Sequence, residues 1–187
     1  MRGRSGGQAA RREEEGIGVG WLGRLLGEKR DEALPLWTAV VQRGRQEHWY
    51  LDGAVPDSVD GRFDMIAAVL SLVLIRLEAD GEAAAPLGAQ LTERFVDDMD
   101  GQLRQMGIGD IVVGKHIGKM MSMLGGRIGA YREGLAVGDL KPALARNLYR
   151  AGEPPLSAIT HVADALTRFH EALGGTPLAE VERGSLP

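Results

Sequence analysis

The chain contains no cysteine. Disulfides, thiolate nucleophiles and cysteine-based zinc or iron–sulfur sites are therefore excluded, which fits a reducing compartment. Aromatic residues make up only 5% of the 187 residues. The three tryptophans and Tyr50 read as core or staple residues rather than a ligand box. Long apolar runs are also missing: the longest, Met65 to Ile75, holds 11 residues including Ser71. A membrane-spanning helix needs about 20. No stretch of useful length alternates apolar and polar residues, so strands are not expected. The sequence has no H-E-x-x-H pattern. His48, His116, His161 and His170 are scattered. His161 and Asp164, one helical turn apart, are a weak signal for a metal.

What is present is ordinary for a folded protein: 44% hydrophobic and 26% charged residues. The length suits one domain with a real core. The net charge of −4 gives no reason to expect bulk nucleic-acid binding, and no DNA partner is expected. Charge is nevertheless uneven. Residues 46–110 carry 13 acids and 4 bases, whereas residues 111–150 carry 2 acids and 7 bases. Such a split predicts opposed faces or a basic surface for an acidic partner. The start, MRGRSGGQAARR, has no apolar h-region and is not a secretory signal. It runs into Glu13, Glu14 and Glu15, which argues against a transit peptide.

Residues 1–16 read as a flexible tail. Trp21, Leu22, Leu25 and Leu26 fit a short amphipathic helix, and residues 33–43 another, with Pro35 in its first turn. HWYLDGAVPDS reads as a loop, with Asp57 or Ser58 capping the next helix. Residues 59–79 are apolar almost all round, the mark of a buried central helix. Residues 86–106 place Leu87, Leu91, Phe95, Met99 and Leu103 on one face, with Glu93, Asp97, Asp98 and Asp100 toward water. Residues 111–137 form a long, glycine-rich helix. Its buried stripe is expected to hold Ile117, Met121, Leu124, Ile128, Tyr131 and Leu135. Gly114, Gly118, Gly125 and Gly129 form a wedge beside it. Its six glycines give up roughly 3–6 kcal/mol of helix propensity. Close packing on the wedge, by another helix or by a partner, is expected to offset that loss. Lys115, His116, Lys119, Met123 and Arg127 fall on the far side. Helices over 140–149 and 156–173 follow, the latter burying Ile159, Val162, Leu166, Phe169 and Leu173. Residues 174–187 read as a frayed tail. The expectation is an all-α fold of six to seven helices: a single domain over 17–173, with flexible tails at 1–16 and 174–187.

Three patterns mimic chemistry. GDIVVGKH, Gly109 to His116, matches a phosphate-binding P-loop except at His116. A P-loop follows a strand and needs a Ser or Thr hydroxyl on magnesium. Here the preceding residues end a polar-faced helix, so a helix junction is the better reading. The acidic run Asp97, Asp98, Asp100 fits neither register of a calcium loop. Asp60 and Asp64 share a helix face, which chance often produces. No catalytic residue, metal ligand or cofactor is assigned. The basic stripe Lys115, Lys119 and Arg127, extended by Lys141, Arg146 and Arg150, suits phosphate, anionic lipid or plain solvent. In the run Lys119 to Leu124, methionines adapt to varied apolar surfaces. Core filling is expected for Met120 and Met121, and exposure for Met123.

Three blocks carry a family resemblance: VPDSVDGRFD (55–64), FVDDMDGQLR (95–104) and GIGDIVVGK (107–115), followed by Tyr131 and Leu135. Together they resemble the ubiquinol–cytochrome c chaperones, assembly factors of the cytochrome bc1 complex, over residues 46–138. The resemblance implies a helical, non-catalytic chaperone. It would bind newly made cytochrome b, with the ribosome and a small partner protein as possible associates and contact with the membrane surface. The matching positions are Asp57, Gly61, Arg62, Asp97, Asp98, Asp100, Arg104, Gly107, Gly109, Asp110, Gly114 and Lys115. Candidate partner-binding residues are Lys115, Lys119, Met123, Arg127, Asp97, Asp98 and Asp100. The N-terminus favours a bacterial cytoplasmic member, at most peripheral at the inner membrane, over a mitochondrial one. Two alternatives stay open. One is a helical module for ribosome, RNA or a membrane surface; the other is an unrecognised small-ligand protein or enzyme.

Overall fold

Helix α3, Val59–Ala79, is the axis of the molecule. Ser58 is its N-cap: its Oγ accepts from the Gly61 amide at 3.1 Å. Thirteen of its 21 residues are buried, including every position from Asp64 to Leu74. A helix wrapped on all sides needs apolar residues all round, and the sequence supplies them. Ser71, the polar interruption, is satisfied within the helix, its hydroxyl donating to the Ala67 carbonyl at 2.6 Å.

The computed structural model describes residues 32–105, 110–150 and 152–187. For 100–105, 110–117, 119 and 120 it describes the backbone alone. Around α3 pack α1 (Leu34–Gly44), α4 (Ala85–Gln105), α5 (Asp110–Val137) and α7 (Leu156–Gly175). Short elements complete the set: α2 (His48–Leu51), α6 (Lys141–Asn147), α8 (Leu178–Glu182) and a 3-10 turn at Gly81–Ala83. No strand occurs among the described residues. Residues 32–187 form one compact unit, and the six helices of seven residues or more agree with the all-α expectation.

The expected stripes are buried on α4 (Leu87, Leu91, Phe95 and Met99) and on α7 (Ile159, Val162, Leu166, Phe169 and Leu173). Gly138 ends α5 with φ +74, a conformation that disfavours a side chain. Central helix and α7 are also tied end to side. Arg76 of α3 donates to Leu173 O in the last turn of α7 at 2.8 Å and to Thr176 O just beyond it at 3.2 Å. A cation at a helix C-terminus meets the negative end of its dipole.

Three expectations need correction. HWYLDGAVPDS is not all loop: His48–Leu51 form a helical turn whose Trp49 is fully buried, its Nε1 donating to Arg43 O at 2.7 Å. Residues 174–187 do not fray, because Gly174 and Gly175 still belong to α7 and Val181 of α8 is fully buried. Gly184 fits there only as glycine, since a Cβ would lie 2.5 Å from the Pro35 carbonyl oxygen. Of the two ways expected to cover the glycine wedge, no helix among the described residues does so: a Cβ on Gly118, Gly125 or Gly129 would meet nothing within 4 Å. Met121 is exposed rather than part of the buried stripe. The expected tail at 1–16 and the helix around Trp21 lie outside the described residues.

Candidate functional site

Helix α5 has two faces of opposite character. At 100° per residue, Gly118, Ser122, Gly125 and Gly129 fall within an arc of about 60°, with Met121 and Gly126 at its edges. All six are exposed, and Met121 keeps 36% of its surface open. The arc therefore presents mostly backbone, with the small Ser122 side chain and one flexible thioether. Met123, 37% exposed, lies outside the arc.

The other face holds charge. Arg127 sits between the buried Leu124 and Tyr131, one turn away on either side. It was expected on the basic face, but only 6% of it is exposed. Its Nη2 donates to Asp64 Oδ1 of α3 at 2.5 Å, and its guanidinium lies 5.5 Å from the Phe63 ring centre. Arg150 meets the same carboxylate from the α6–α7 connection. Its Nε donates to Asp64 Oδ2 at 2.6 Å and its Nη2 to Oδ1 at 3.1 Å, while its Nη1 reaches Asp60 Oδ2 at 3.1 Å. Burial pushes the Asp64 carboxyl upward, against the pull of Arg150 and Arg127. Burial also raises both neighbouring phenols, Tyr149 to about 12 and Tyr131 further. They stay protonated at neutral pH. Tyr149 uses its proton to donate to Gly53 O at 2.5 Å. Asp60 and Asp64 thus form an ion cluster joining α3, α5 and the α6–α7 connection, not an acid–base pair.

The first family-like block is explained by packing. Val55 is buried, Ser58 caps α3, and Asp57 pairs with Arg62 at 2.6 Å. That guanidinium holds the Asp57 carboxyl below its ordinary value. Gly61 is required because a Cβ would stand 2.0 Å from the Pro56 carbonyl oxygen. In the second block Asp97 and Asp98 are exposed on α4; the side chains of Asp100 and Arg104 lie outside the described residues. In the third block Gly107 and Gly109 lie outside them altogether. Asp110, Gly114 and Lys115 have a described backbone within α5, as does Lys119. The segment resembling a P-loop is therefore helix from Asp110 onward, where a phosphate cradle would require a loop.

The basic stripe is largely neutralised where its side chains are described. Arg127 pairs with Asp64, Lys141 with Asp139, and Arg150 with Asp60 and Asp64. No group of three His, Asp or Glu able to hold a metal occurs among the described residues. His161 meets His48, ring nitrogens 3.0 Å apart. No helix among the described residues is long and apolar enough to cross a membrane.

Residue spacing on α5 pointed to the glycines but not to their exposure, and Gly126 was not among them. The burial of Arg127 did have a signal: it lies three residues after Leu124 and four before Tyr131, both on the expected stripe.

Comparison with known proteins places these features. The family described as ubiquinol–cytochrome c chaperone matches residues 51–186, well beyond the three short blocks. The crystal structure of the Cbp3 homolog from Brucella abortus is similar at 27% identity and TM-score 0.75. The match covers 89% of this chain and 93% of that one. No curated protein matches the chain.

Proposed function

Since the chain belongs to the ubiquinol–cytochrome c chaperone family, we propose that it acts without catalysis as an assembly chaperone of the cytochrome bc1 complex that holds newly made cytochrome b. The open arc of α5 carries this reading. Gly118, Gly125, Gly126 and Gly129 meet nothing within 4 Å beyond their own helix. Four exposed glycines cost the helix roughly 2–4 kcal/mol relative to alanine, and no contact among the described residues offsets that. A guest helix would. Without side chains in the way, its backbone can approach closely, as at small-residue contacts between membrane helices. Met121 at the edge, with its unbranched thioether, adapts to whatever apolar surface arrives. Holding is then van der Waals shielding of an apolar segment until the segment moves to its final partners.

The remaining candidates take subsidiary places. Lys115, Lys119, Asp97, Asp98 and Asp100 are proposed to contact partners beside the arc, and Met123 to extend the apolar contact. Arg127 is withdrawn from that set by its burial. The ribosome reading, drawn from the basic stripe, is weakened because most of its described cations already face acids. Action in the bacterial cytoplasm, at the inner surface of the membrane, fits the reading.

The test is capture. A tagged version is isolated from cells and the co-purifying proteins are identified, with bc1 content measured in a strain lacking the gene. Cytochrome b in the eluate and a fall in assembled bc1 are expected. Absence of cytochrome b together with normal bc1 levels would overturn the proposal.

A further inference from the structure

We propose that His48 and His161 form an acid-opened clasp between α2 and α7. The two rings meet nitrogen to nitrogen, His48 Nδ1 to His161 Nε2, at 3.0 Å, with their planes at 75°. Both side chains are half-buried. Such a contact holds only if one nitrogen carries a proton and the other a lone pair.

The placement of the Gln46 amide, oxygen toward the ring, corresponds to one of the two tautomer assignments. Its Oε1, which only accepts, lies 3.2 Å from His48 Nε2. In that assignment His48 donates through Nε2 and accepts through Nδ1, and His161 Nε2 is the donor to it. One proton can join the pair harmlessly at His161 Nδ1, leaving the shared bond intact and charge-assisted. A second proton has to sit on His48 Nδ1, where it confronts the His161 N–H. Two donors 3.0 Å apart, each on a cation, repel. The clasp is thus closed with zero or one proton and open with two.

The surroundings hold the second proton off. Burial is the main influence lowering the His48 value, followed by His161, Arg43 of α1 and, more weakly, Arg168 of α7; Asp52 alone acts the other way. The Trp49 ring also lies close to His48, centres 4.0 Å apart and planes tilted by 42°. The clasp also sits on a close seam. A Cβ on Gly53, just after α2, would approach Val162 Cγ2 to 2.6 Å, and Val162 follows His161 directly. Trp49 Nε1 to Arg43 O and Tyr50 OH to Gly44 O still anchor α2 to α1 when the clasp opens. Acid therefore loosens the α2–α7 seam without unfolding the chain.

Two measurements on the full chain test this. In an imidazole nitrogen NMR titration, His48 should titrate below its ordinary 6.5 in the native protein and move up toward it in His161→Gln, whose amide still donates but takes no charge. Second, amide exchange across residues 48–53, corrected for intrinsic rate, should rise at least threefold between pH 7.5 and pH 5. In His161→Gln it should stay flat. A native His48 that titrates at 6.5, or an acid rise in exchange that persists in His161→Gln, overturns the clasp.

Discussion

Arg127 and Asp64 meet across the α3–α5 contact at 2.5 Å, both withdrawn from solvent. The pair is not symmetric in its dependence. Asp64 also holds Arg150, whereas Asp64 is the one acid in ion-pair contact with Arg127 among the described residues. Asp64→Ala strands a buried guanidinium and should cost about 3–5 kcal/mol. Arg127→Met keeps the volume and leaves Asp64 paired to Arg150, so a smaller loss of about 1–3 kcal/mol is expected. Urea unfolding of the two variants measures the order. Equal losses would mean that the cluster does not organise the interface.

Arg150 adds a backbone effect to its ion pairs. Its φ is +54, a conformation costing a non-glycine residue roughly 1–2 kcal/mol. Arg150→Ala removes the clamp and keeps the strain; Arg150→Gly removes both. Both variants should be less stable than the native chain, but glycine should be the milder by about 1 kcal/mol. Thermal unfolding of the pair reads this difference directly.

The glycines divide into two classes with opposite signs. Gly61→Ala drives a Cβ to 2.0 Å from Pro56 O and should destabilise by about 1–3 kcal/mol. Gly125→Ala and Gly129→Ala meet open space and should each stabilise by about 0.5–1 kcal/mol. If the arc holds cytochrome b, Gly129→Leu should fold well yet co-purify with less of it. Retained capture in that variant would move the client elsewhere on the molecule.

His170 supplies a second acid sensitivity. Its Nδ1 is buried without a partner among the described residues, and burial lowers its value from the ordinary 6.5. A histidine lowered in the folded state binds its proton more readily when unfolded. Its stabilising contribution is therefore full above about 6.5 and is lost as pH falls through 6.5 toward the folded value. Stability measured from pH 7.5 to 5 should decline, and His170→Asn should flatten part of that decline.

The fold was readable where hydrophobic period and length coincide. Helices expected at 59–79, 86–106 and 111–137 are found at Val59–Ala79, Ala85–Gln105 and Asp110–Val137. The misses were short or tertiary. Four residues at His48–Leu51 and five at Leu178–Glu182 are too few to show a period; the first is held through Trp49 on the nearby Arg43 carbonyl, and the chain just after the second lies against Pro35. Arg127 was assigned to water by its charge because its acid lies 63 residues away. The open arc lay outside the sequence's reach: periodicity says which residues share a face, not whether another helix covers it.

The approach of Gly184 to Pro35, with Arg43 donating to Pro187 O, joins opposite ends of the described unit. Helix α1 cannot complete its burial until residue 184 has been synthesised. During translation its packing on α3 and α4 can form first, while its contact with α8 waits for the sequence made last. Closing so long a loop is slow relative to local helix formation, so α1 and α8 should dock late in folding. A chaperone of this design passes through a stage in which its own apolar surface needs cover, before it can offer cover to another chain.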